Sequence, residues 1–74
     1  MKAEVAARLD RLTLRQRQIL DHVIVGSPSK IIAAELRLNQ RTVENHRAAI
    51  MAKIGAKSLP ELIRKVVSAL GQQG

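Results

Sequence analysis

Between residues 29 and 48 the apolar side chains recur at helical spacing on both sides of one short break, and this pattern restricts the chain to few folds. Ile32 and Leu36 lie before the break, Leu38 in it and Val43 after it, where a helix-turn-helix needs apolar contacts. Ala33 falls where the two helices of such a unit come closest. A unit of this kind pushes its second helix into the DNA major groove, so the stretch predicts a use as well as a shape.

The flanking segments read as further helices. Thr13 is a natural N-cap and Gln16, three residues on, completes a capping box. Ile19, Leu20, Val23 and Ile24 form a helical stripe, and Gly26 suits a left-handed end, which predicts a helix over 14–25. Ser27 or Ser29 is the candidate cap of the next, over 29–37, with Pro28 tolerated in its first turn. Asn39 caps a third helix over 40–54, stopped by Gly55. Ser58 and Glu61 form another capping box, and Leu62, Ile63, Val66, Val67 and Leu70 make the last helix amphipathic. Residues 1–11 hold too few apolar side chains to anchor themselves and read as a linker or fraying helix; residues 72–74 read as a tail. The expected fold is therefore all-α, a compact four-helix domain over residues 12–71 containing a helix-turn-helix.

Composition narrows the use of that fold. A chain of 74 residues is one small domain, and with no Phe, Trp or Tyr its core must be Ile, Leu, Val and Ala. Absence of cysteine excludes disulfides and thiolate metal sites and fits a reducing cytoplasm. Thirteen Lys and Arg against six Asp and Glu leave a net charge of +7, suited to a polyanionic partner. No apolar run approaches a membrane span, and the N-terminus lacks the apolar stretch of a secretory signal. No nucleophile–base pair, metal cluster or glycine-rich phosphate loop is present, so the reading is of no enzyme, cofactor, metal or small-molecule substrate.

On a helical wheel Val43, Arg47, Ile50 and Ile54 of the 40–54 helix gather on one side. Arg41, Glu44, Asn45, Ala48 and Ala52 gather opposite. Small residues let a backbone sink into a groove, and long polar ones at its N-terminal end reach base edges. Asn45 can bond adenine bidentately, Glu44 can accept from cytosine N4, and Arg41 can reach guanine or a phosphate. Arg41, Glu44, Asn45 and Ala48 are thus the candidate base contacts. Lys30, Thr42, Arg47, Lys53 and Lys57 are the candidate phosphate contacts, with first-turn capping an equal role for Thr42. His46, on the flank, reads as structural, and His22 has no evident role. Arg37 stands where the turn commonly takes glycine. Either the backbone there is left-handed at a cost of about 1 kcal/mol, or the turn differs.

Leu12-Thr13, Arg15, Arg17, Ile19-Leu20, Gly26, Lys30, Ile32-Ala33, Leu36, Asn39, Arg41-Thr42-Val43-Glu44, His46-Arg47, Ile50-Met51 and Lys53-Ile54 resemble the LuxR/FixJ-type DNA-binding domain. Ala56-Lys57-Ser58-Leu59-Pro60-Glu61-Leu62 is most similar to the FixJ branch. The resemblance covers about residues 12–70. It implies the C-terminal output domain of a two-component response regulator, controlling transcription by binding promoter DNA, usually as a dimer. It maps base reading onto Glu44, Asn45 and Ala48, phosphate binding onto Lys30, Thr42 and Lys53, and dimer contact onto the last helix. Leu59, Leu62, Ile63, Val66 and Val67 are the dimer candidates there, for a weak homodimer. Contact with RNA polymerase is a further candidate. Ile31, where an acidic residue is common, and Ala48, which offers only a methyl group, depart from the pattern. Two other readings stay open: a sigma-factor-like promoter-recognition module, and a basic helical protein-interaction adaptor.

Overall fold

The computed structural model describes residues 2–71; the expected tail at 72–74 lies outside the described residues. These hold five helices and no strand: α1 (Lys2–Leu9), α2 (Leu14–Ile24), α3 (Ser29–Leu36), α4 (Gln40–Ile54) and α5 (Leu59–Leu70).

Short-range chemistry sets most of the boundaries. The Thr13 hydroxyl accepts from the Gln16 N–H at 3.1 Å, while Gln16 Oε1 accepts from the Thr13 N–H at 3.0 Å, the expected reciprocal box. At the far end of α2, Gly26 turns left-handed (φ 91°) and the Ser27 N–H returns to the His22 carbonyl at 3.0 Å. The helix proper stops at Ile24, because Val25 is already its C-cap. Asn39 Oδ1 caps α4 by accepting from the Thr42 N–H at 2.7 Å. Gly55 (φ 80°) closes α4, with the Gly55 and Ala56 N–H groups both on the Met51 carbonyl at 2.9 Å.

Two caps differ from expectation. Neither Ser27 nor Ser29 caps α3. Pro28 occupies the cap position without a side-chain bond, its carbonyl accepts from Ile31 and Ile32, and Ser29 is buried as the first helical residue. At α5 the Ser58 hydroxyl accepts from the Glu61 N–H at 3.2 Å, but Glu61 reaches past Ser58 to the Lys57 N–H at 2.6 Å. That bond holds the Glu61 carboxyl below its ordinary range; partial desolvation opposes this, and the Lys65 and Arg64 charges add to it.

Arg37 resolves the question of the turn. Its backbone is left-handed (φ 58°, ψ 44°), and the Leu38 N–H returns to the Ala33 carbonyl at 2.9 Å. The bend aims α4 away from α3 at the cost of about 1–2 kcal/mol of steric strain in an L-residue. Arg37→Gly is expected to add about 1 kcal/mol, raising Tm by about 4–8 °C in a domain of this size. A melt at or below that of the parent would show that the arginine's own contacts outweigh the strain.

The core draws on every helix. Ile19, Leu20 and Val23 of α2 meet Ile32 and Ala33 of α3, Val43, Ile50 and Ile54 of α4, and Leu62 and Val66 of α5, with Leu36 and Leu38 packed at its edge. α4 packs against both α3 and α2.

Of the expected linker or fraying helix over residues 1–11, the helix is what forms, and it is anchored on the core. α1 lies against α5 and α4, Leu9 is buried within the core, and Val5 packs beside it. The pair Val5 and Leu9 suffices because the surface it meets is apolar. Arg8, paired with Glu4 at 3.1 Å, lies over Gly55, where an added Cβ would come within 2.7 Å of Arg8 Nη1. The all-α reading stands, with a fifth helix added to the four expected.

Candidate nucleic-acid interface

α4 divides cleanly. Val43, Ile50 and Ile54 are buried, so Arg41, Glu44, Asn45, Ala48 and Ala52 line the opposite, exposed face. All four candidate base contacts therefore stand in solvent on one stripe. Among the described residues no side-chain hydrogen bond or ion pair occupies Arg41, Glu44 or Asn45. Their polar groups are available to an outside partner.

The candidate phosphate contacts fall into two situations. Lys30 is exposed at the second residue of α3, a helix start that no side chain caps. Lys57 is exposed just beyond α4. Arg47 is half-buried and shares the lining of a groove with Lys30, Gln40, Glu44, Val23, Leu59 and Ile63. Thr42 is half-buried in the first turn, its N–H taken by Asn39. Lys53 is tied inward: its ammonium donates to Gln16 Oε1 at 2.8 Å and to the Arg11 carbonyl at 3.2 Å. One of its three N–H groups is left without a partner among the described residues.

α5 corrects part of the expected dimer surface. Leu62 and Val66 are 2% and 1% exposed, closed into the monomer core, and cannot face a second copy. Leu59, Ile63 and Val67 share the outer face with Leu70, which the dimer set omitted. Their spacing at i, i+4, i+8 and i+11 makes one stripe, flanked by Pro60, Arg64 and Ser68. The helix carries apolar residues on two sides, and the core takes only one.

Sequence reasoning also missed two links. His22 Nδ1 lies 3.7 Å from Glu35 Oε2, joining α2 to α3. Lys65 Nζ donates to the Gly55 carbonyl at 3.0 Å, joining α5 to the end of α4. Neither pair has sequence periodicity, so only the fold reveals them. Among the described residues no group of three or more His, Cys, Asp or Glu is placed to hold a metal ion. No described helix is long and apolar enough to cross a membrane.

A helix-turn-helix with its second helix exposed, polar at the leading end, small behind and flanked by cations defines a DNA-binding module of transcription regulators. Residues 10–66 match the family described as GerE, bacterial regulatory proteins, luxR family. The chain belongs to that family. It is 49% identical over 65 residues to the transcriptional regulatory protein FixJ of Rhizobium meliloti, covering 88% of this chain and 32% of that protein. It is 43% identical over 61 residues to the transcriptional regulatory protein UhpA of Escherichia coli, covering 82% of this chain and 31% of that protein. Its fold superposes on full-length FixJ from B. japonicum with a TM-score of 0.84 at 37% identity, covering 99% of this chain and 36% of that one. The chain thus spans about a third of the length of these relatives.

Proposed function

We propose that this chain is the DNA-reading output domain of a two-component response regulator, with α4 laid in the major groove. The observation that carries this reading is the unoccupied stripe of Arg41, Glu44, Asn45 and Ala48 opposite a sealed core face. A groove about 12 Å wide admits such a helix. Asn45 and Glu44 read base edges, Arg41 reads guanine or holds a phosphate, and the Ala48 methyl meets a thymine methyl. Lys30, Thr42, Arg47, Lys53 and Lys57 hold the backbone on either side. A weak homodimer through Leu59, Ile63 and Val67 places two copies on paired half-sites. RNA polymerase is the partner that such a bound regulator addresses.

Selection from random duplexes tests the reading. Enriched sites should carry two related half-sites about 34–36 Å apart or a multiple of that, and binding should fall steeply with salt. Failure to enrich any sequence, with binding indifferent to salt, would leave the adaptor reading in its place.

A further inference from the structure

Gln16 and Ser29 are the buried polar side chains among the described residues, and Gln16 joins three parts of the fold. Its Oε1 accepts from the Thr13 N–H at 3.0 Å, closing the cap of α2, and from Lys53 Nζ at 2.8 Å, in the last turn of α4. The same ammonium donates to the Arg11 carbonyl at 3.2 Å, in the turn between α1 and α2. Both neighbours of Gln16 are obligate donors, so its oxygen, not its nitrogen, must face them.

A glutamate would accept the same two bonds. It would also set a full negative charge against the lysine, and the amide does not. The position is therefore one where geometry and charge separate. Lys53 sits about 100° round α4 from Ala52, on one flank of the exposed stripe. Two of the three Lys53 N–H groups are anchored, which fixes the ammonium between the last turn of α4 and the start of α2 and leaves the third without a partner among the described residues.

We propose that Gln16 is a positioning residue for DNA binding: it fixes the Lys53 ammonium beside the far end of α4 and, being neutral, leaves that charge whole for a backbone phosphate. The proposal rests on the DNA-binding reading above. It adds that affinity for any duplex is set partly by a side chain that never touches DNA.

The test is a salt series of the whole chain on a duplex of arbitrary sequence, with Q16E, K53Q and the double variant beside the parent. Q16E is expected to melt no lower than the parent, because a carboxylate makes both bonds. Its affinity should fall on every duplex, and its log–log salt slope should flatten by about 0.9, the value of one phosphate. Between 50 and 200 mM salt the parent should then lose about 3.5-fold more affinity than Q16E. K53Q should flatten the slope equally, and adding Q16E to K53Q should flatten it no further. Parallel salt lines for parent and Q16E overturn the proposal while leaving DNA binding intact. Equal flattening by Q16E in the absence of Lys53 also overturns it, as does a Q16E chain that melts well below the parent. A parent that binds no duplex removes the functional reading and this proposal together.

Discussion

Leu62→Ala is expected to leave much of the chain unfolded at 25 °C, whereas Val67→Ala, five residues further along the same helix, leaves the melt unchanged. Leu62 is 2% exposed and Val67 48% exposed. Emptying a buried leucine site costs about 2–5 kcal/mol, from lost transfer energy and the cavity left behind. A chain of this length rarely draws more than about 3–5 kcal/mol from its core, so the loss approaches the whole stability. Alanine is the better helix former, so the loss cannot come from helix propensity. Val67→Ala removes surface methyls and should stay within about 0.5 kcal/mol in the melt. Its effect should appear in self-association, because Val67 lies on the outer stripe with Leu59 and Ile63. Thermal circular dichroism and sedimentation, run on both variants, separate the two roles. Equal melts would mean that the assignment of the two faces of α5 is wrong.

Asn45→Ala carries the second large effect, on binding. The carboxamide offers a donor and an acceptor at the spacing of adenine N6 and N7, and a bidentate pair of that kind is worth about 1–3 kcal/mol. Asn45 is exposed and has no partner among the described residues, so its removal takes little from the fold. The Kd for a selected site should rise by roughly 5- to 150-fold, with preference relaxed at one base pair. Duplexes lacking the site should bind as before. A uniform loss on all sequences would move Asn45 from base reading to backbone contact.

What could be read from the sequence was chemistry acting over three or four residues. Thr13 with Gln16, Asn39 with Thr42, and the left-handed Gly26 and Gly55 all stand where short-range rules put them. The exposed stripe of α4 was legible for a related reason, since its buried residues, Val43, Ile50 and Ile54, are all apolar and the opposite face is polar or small. Where several surfaces compete, periodicity loses its power. In α5 it shows apolar residues on two sides without saying that Leu62 and Val66, not Ile63 and Val67, meet the core. In α1 two apolar residues looked too few, because their value depends on the α5 and α4 surfaces they cover. Lys53 read simply as a phosphate ligand, because its acceptors at Gln16 and Arg11 are 37 and 42 positions distant. Glu61 differs by a single residue, preferring the Lys57 N–H to that of its own cap.

In the proposed complex α4 meets DNA through the stripe opposite its core face. Backbone amide shifts of the labelled chain, followed as a short duplex carrying a selected site is added, test it most directly. The largest shifts are expected at Arg41, Glu44, Asn45 and Ala48, smaller ones at Lys30, Lys53 and Lys57, and little change at Leu20 or Ile54. Shifts confined to Leu59, Ile63 and Val67, with α4 silent, would contradict it.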